Sequence, residues 1–180
     1  MHRIAALALS GLLLTAAPAA FAAPVPPVTV AIGADLQKKA DKSYGVRELG
    51  HLSKELRDYV ERAYARTSAT PAQRVDLVIE AATPNRPTFK QMSRIGLSMH
   101  SVGLGGASIS GTVTGADGRV TPISYHWFET DLSNEIGATT WSDAYRAFDR
   151  FAGRVARGDL PTQAKYTPDR EAGDFGRWLR

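Results

Sequence analysis

Val28, Val30 and Ile32 alternate with Thr29 and Ala31. This period of two predicts a strand with one face on a core. Gly33 closes it. Asp35 to Ser43 is polar, carries three lysines and reads as an exposed connection with a short helical turn. From Arg47 to Arg66 the period changes. Leu49, Leu52, Leu56, Tyr59 or Val60, and Ala63 return every three or four residues, the apolar stripe of a helix. Gly50 costs that helix roughly 1 kcal/mol relative to Ala, so the helix begins after it or the backbone packs closely there. After a linker from Thr67 to Gln73, Val75, Leu77 and Ile79 mark a second strand. Strand, helix, strand in this order is compatible with a right-handed parallel crossover.

Thr83-Pro84-Asn85-Arg86-Pro87 breaks regular structure, because neither proline can donate to a ladder. Arg94 to Gly106 is rich in Gly and Ser and reads as either a short edge strand or a long ordered loop, so residues 88–106 stay open between strand and loop. Ala107 to Thr114 and Val120 to Phe128 flank Asp117-Gly118, a hairpin signal, and Pro122 places its strand at an edge or a bulge. Thr140 to Asp143 reads as a variant capping box. Behind it Trp141, Ala144, Tyr145, Phe148, Phe151 or Ala152, and Val155 form a wide apolar stripe, with Gly158 at the stop. The expected fold is α+β: a mixed, largely antiparallel sheet with two helices packed on one face, a two-layer sandwich. Residues 23–158 make this single domain, and 159–180 are expected to be a mobile tail on which Phe175, Trp178 and Leu179 offer docking side chains.

The first 22 residues change the picture of where the chain goes. Met1-His2-Arg3, an apolar run from Ile4 to Leu14 and the small-residue pattern Ala20-Phe21-Ala22 read as a secretory signal peptide cut between Ala22 and Ala23. The run is too short for a membrane span, and no later stretch reaches 18 apolar residues. A periplasmic or secreted bacterial protein is expected. With 180 residues, 43% hydrophobic and 22% charged, the chain can bury a core unaided. It contains no Cys, which excludes disulfides, thiolate metal sites and a lipidated cysteine anchor.

Catalytic patterns are weak. Gly96-Leu97-Ser98-Met99-His100 and Gly106-Ala107-Ser108-Ile109-Ser110 lack the second glycine and the following helix of a hydrolase elbow. His51, His100 and His126 show no metal-ligand spacing, and no metal or other cofactor is indicated. Gly103-Leu104-Gly105-Gly106 precedes a strand, which favours a tight turn over a phosphate loop. Arg146, Arg150, Arg154 and Arg157 line one side of the second helix, opposite its aromatics. They read as a solvated face or as a contact for an anionic partner, with Glu129, Asp131 and Glu135 as the internal alternative. Nucleic acid is not expected, because the aromatics lie on the apolar stripe.

Val28 to Ile32, Tyr44-Gly45-Val46-Arg47-Glu48-Leu49, Val75 to Ile79, Asn85-Arg86-Pro87-Thr88 and Gly105-Gly106-Ala107 together resemble a group of small exported bacterial proteins without assigned activity. The arrangement is also similar to the amino-terminal domain of TolB and related envelope modules. That resemblance implies a two-layer sandwich used in protein assembly and no catalytic residues. The expected function is a noncatalytic exported module binding another cell-envelope component, either a protein or an anionic component. Its candidate surface is Asn85, Arg86, Gly105, Gly106, Arg146, Arg150, Arg154 and Arg157. The alternatives are a small-ligand or hydrolase-like site near Ser98, His100, His126 and Glu129, and anionic-lipid binding through the arginine stripe.

Overall fold

The computed structural model describes residues 25–67, 71–164 and 166. The leader, its cut and the tail aromatics Phe175 and Trp178 lie outside them, as does Leu179. Strands β1 (Val28–Ile32), β2 (Ala72–Thr83), β3 (Gly106–Gly115) and β4 (Val120–Phe128) form one sheet in the order β1-β2-β3-β4. β1 runs parallel to β2, with Val28 opposite Val75 and Ile32 opposite Ile79. The other two ladders are antiparallel. The long helix between the parallel strands, Val46–Arg66, packs on β1 and on the helix Ser142–Ala156, which in turn packs on β3 and β4. The fold is therefore α+β, with a mixed and largely antiparallel sheet under two long helices.

Periodicity explains the core. Leu52, Leu56 and Val60 from the first long helix and Ala144, Phe148, Phe151 and Val155 from the second meet Val75, Leu77, Ile79 and Ile109 of the sheet. Phe148 and Phe151 are fully buried, and each such ring stabilises by about 1.5–3 kcal/mol. The other face of the sheet is polar and internally paired. Thr29 donates to Asp76 at 2.5 Å, and Ser110 donates to Glu80 at 2.5 Å.

Several elements depart from the sequence expectation. Residues 34–44 are helical throughout: α1 (Ala34–Lys39) runs into a wider turn, Ala40–Tyr44. The polar composition hid two buried residues at helical spacing, Leu36 and Ala40. The helix Val46–Arg66, α2, includes Gly50, and a Cβ there would meet nothing within 4 Å. Neither reason offered for that glycine holds, and the helix simply carries its cost. β2 is twelve residues long because β3 supplies partners at both ends. A register shift between Ile79 and Ala81 leaves Ala81 and Ala82 both buried, which breaks the alternation. Phe89–Ile95 is a helix, α3, opened by a capping box in which Thr88 accepts from the Gln91 amide. Residues 96–105 after it are loop, not strand.

The hairpin forms as its sequence predicts. Gly118 has φ +77°, and Gly115 donates to the Arg119 carbonyl at 2.9 Å. Pro122 sits on β4, the last strand in the order. The helix Ser142–Ala156, α4, ends at Arg157 and Gly158 (φ +78°), the left-handed stop. Its start is different. Trp141 occupies the cap position and its own side chain caps nothing; the first-turn amide of Asp143 is instead accepted by the Asn85 side-chain oxygen at 2.9 Å. Thr140 offers its carbonyl to the Asn85 amide, and Asp143 turns inward, where stronger partners hold it. Residues 161–163 lie along β4: Ser124 donates to the Pro161 carbonyl at 2.8 Å, and Gln163 donates to that of Ser124 at 2.9 Å.

Candidate functional site

Thr83 pairs with Gly106, and Gly106 pairs with Phe128. The connections 84–105 and 129–141 therefore leave the sheet at the same end. Asn85, 1% exposed, ties them together. Its amide nitrogen donates to Thr140, its carbonyl accepts from Gly103 at 2.8 Å, and its side-chain oxygen accepts from the Asp143 amide at 2.9 Å. Its Nδ2 reaches Asp143 Oδ2 at 2.5 Å and also Glu135. Arg86 adds a second tie, donating to the carbonyls of Ala138 (2.5 Å) and Met99 (3.3 Å). Gly105 donates to Asp143 at 3.0 Å, and a Cβ there would stand 2.6 Å from Asn85 Oδ1. Gly106, at φ +152°, lies equally close to β4. Asn85, Gly105 and Gly106 are thus interior fittings, and the glycines permit close approach, as the strand after them implied.

Three acids meet at this end. One carboxylate oxygen from each of Glu129, Glu135 and Asp143 lies within 4.8 Å of the others. Glu135 and Asp143 are buried. The cation among them is Arg146, whose Nη1 is 2.8 Å from Asp143 and 3.8 Å from both Glu129 and Glu135. Internal pairing of the acidic stretch with the arginine face is therefore found for Glu129 and Glu135. Asp131 instead caps a short turn, accepting from the Ser133 amide at 2.9 Å. The Thr130 amide holds the Glu129 carboxyl below its usual range. Burial, and then Asp143 beside it, pushes the Glu135 carboxyl up. Its Oε1 has no hydrogen-bond partner among the described residues. All the ligand atoms here are oxygens, the kind hard cations take, but a guanidinium already stands among them.

A pH dependence follows. The folded chain holds the Glu135 proton more tightly than the unfolded chain does. The stability this confers is complete below the ordinary glutamate range and is lost as pH rises through the elevated value. Urea unfolding at a series of pH values is expected to show that decline in the wild type and a flatter profile in Glu135→Gln. Parallel profiles would contradict it.

The arginines of α4 lie against β4 in steps. Arg146 meets Glu129, Arg150 stacks over Trp127 at 4.3 Å, and Arg154 lies 5.9 Å from the Tyr125 ring. Four residues of helix rise about 6 Å and two of strand about 6.7 Å, so an arginine at every fourth helix position meets every second strand residue. Arg154 also forms a two-pronged pair with Asp159 at 2.8 and 3.1 Å. Arg157, past the last turn, is exposed. The stripe is thus partly a fastening of helix to strand, a use that Tyr125, Trp127 and Glu129 at two-residue spacing already foreshadow.

The alternative site is not assembled in the same way. Ser98 and His100 are exposed on the loop, where Ser98 Oγ accepts from the His100 backbone amide at 3.1 Å, an ordinary turn. His126 is half-buried on β4, its ring 5.6 Å from that of Tyr166 and its Nδ1 without a hydrogen-bond partner among the described residues. Glu129 belongs to the acidic cluster. His51 is exposed on α2, beside Tyr145.

The sequence reading missed one feature. A hollow of about 340 Å³ opens between the later turns of α2 and α4, lined by Arg62, Arg66, Arg150 and Arg157 together with Tyr59 and Asp149. Two of these arginines come from α2, where Lys54 with Asp58, Arg57 with Glu61 and Asp58 with Arg62 stand four residues apart, the spacing of helix ion pairs. Of those pairs, Lys54 with Asp58 is present at 2.5 Å, while Arg62 lies over Tyr59 at 4.7 Å.

No protein-family model and no curated protein matches the chain. Among solved structures, a minor lipoprotein from Acinetobacter baumannii is similar at 13% identity and a TM-score of 0.30. The match covers 77% of this chain and 98% of that one. A superposition that loose carries no argument about shared activity.

Proposed function

We propose that the protein is a noncatalytic exported module that binds an apolar surface of another cell-envelope protein through one end of its sheet. The observation that carries this reading is the set of apolar side chains left in water there. Phe89 is 83% exposed, Met99 63% and Ile136 92%, with Leu97, Val102 and Leu132 also open. Single exposed apolar residues are ordinary, but six on two connections that share one end of the sheet have the character of a contact surface. Asn85 and Arg86 hold those two connections together, so the surface is presented ready-made, which lowers the ordering cost of binding.

Export rests on the leader pattern. Among the described residues no helix is long and apolar enough to cross a membrane. The resemblance to TolB-like envelope modules supports an assembly role, and the separate settings of Ser98, His126 and Glu129 support a noncatalytic one. A photo-crosslinker at position 99 is expected to give a discrete adduct in intact envelopes, weakened by Phe89→Ser. The same group at position 117, in the hairpin turn at the opposite end, is expected to give none. Identical adducts from both positions, or none from position 99, would reject the proposal.

A further inference from the structure

The geometry points to a second site: the hollow between α2 and α4 binds phosphate-bearing anions. Among the described residues, four arginines line it, Arg62 and Arg66 of α2 with Arg150 and Arg157 from the end of α4, and Asp149 is the one acid beside them. None of the four is in an ion pair among the described residues, whereas Arg146 and Arg154 of the same stripe are. A basic group near a helix C-terminus offsets the negative end of the dipole, which accounts for Arg66 and Arg157 taken singly. It does not account for Arg62, which lines the same hollow beside like charges that repel it.

Two of these side chains are held in place. Arg62 lies over the Tyr59 ring at 4.7 Å, and Arg150 lies over Trp127 at 4.3 Å. A guanidinium fixed on a ring keeps its planar fork of donors for a ligand and loses less freedom on binding. Guanidinium and phosphate match as two parallel hydrogen bonds, and several guanidiniums around one hollow favour a multiply charged oxyanion. The ligand class is therefore a phosphate monoester or diphosphate, either free or as the headgroup of an envelope amphiphile. Arg146 and Arg154, expected from sequence to share such a contact, are occupied elsewhere, and α2 supplies the replacements. This site stands apart from the apolar end, and the two readings succeed or fail separately.

The test titrates the folded protein with inorganic pyrophosphate at low salt by calorimetry, then sediments it with vesicles containing phosphatidic acid or only neutral lipid. Pyrophosphate binding is expected, weakening with salt and falling at least tenfold in Arg66→Gln/Arg157→Gln, two exposed positions where circular dichroism verifies the fold. Arg154→Gln, already paired with Asp159, is expected to bind like the wild type. Vesicle capture reversed by pyrophosphate identifies a lipid headgroup as the source, and pyrophosphate binding without vesicle capture identifies a soluble phosphate compound. The inference is overturned if neither pyrophosphate nor acidic vesicles bind, or if the double variant binds as tightly as the wild type.

Discussion

Asn85→Ala is expected to lower the unfolding free energy by about 3–5 kcal/mol, the range for removing one partner from a buried charged network. The side chain gives both donors of its Nδ2 to two buried carboxylates and accepts the Asp143 amide with its oxygen. Alanine supplies none of these. Asp143 keeps Arg146 and the Gly105 amide, but Glu135 loses a donor while its other oxygen already lacks a hydrogen bond. Urea unfolding reads the effect as a lower midpoint with unchanged slope. A shift below about 1 kcal/mol would show that the cluster is not held through Asn85. The loss would reach beyond stability, because Asn85 joins the two connections that carry Phe89, Met99 and Ile136.

Gly111→Ala is the second large effect, also expected at about 3–5 kcal/mol, from backbone strain together with steric clash. Gly111 lies opposite Leu77 in the middle of the sheet at φ +157°. A Cβ there would run into the Asp76 carbonyl oxygen and come to 3.0 Å from Leu77 Cα. Both are backbone atoms of a central strand and cannot swing aside. Gly50→Ala is the matched control. With nothing within 4 Å of the added atom and helical backbone around it, stability is expected to rise by about 0.5–1 kcal/mol. Thermal or urea unfolding of the pair should show opposite signs, and a mild effect at Gly111 would mean that β2 and β3 separate readily.

Much of the frame is legible from periodicity because burial on one face imposes it. The stripes of α2 and α4, the alternation in β1 and the turn at Asp117-Gly118 each follow from a local rule, and each forms. The cap of α4 is not legible in the same way. Asp143 reads as a capping acid by position, yet its partners Asn85 and Gly105 are 58 and 38 residues away. The Ala34–Tyr44 stretch fails for a related reason, since two buried residues among lysines leave little amphipathic signal. α3 was marked by Thr88 and Gln91 three apart, a cap pattern masked by the neighbouring prolines. The arginine face illustrates the limit most clearly. Its spacing on α4 was visible, but whether a given guanidinium meets a ring, an acid or the hollow depends on which strand and helix lie beside it.

The stepwise meeting of α4 with β4 sets which parts of the chain tolerate a change in length. Residues 125, 127 and 129 must stay in phase with residues 154, 150 and 146, so deleting one residue between Tyr125 and Glu129 would turn the remaining partners to the wrong side of the strand. The hairpin tip around Asp117 lies before this run and is free of that constraint. Across related chains, insertions are expected to accumulate at the tip while the spacing from Tyr125 to Glu129 stays fixed.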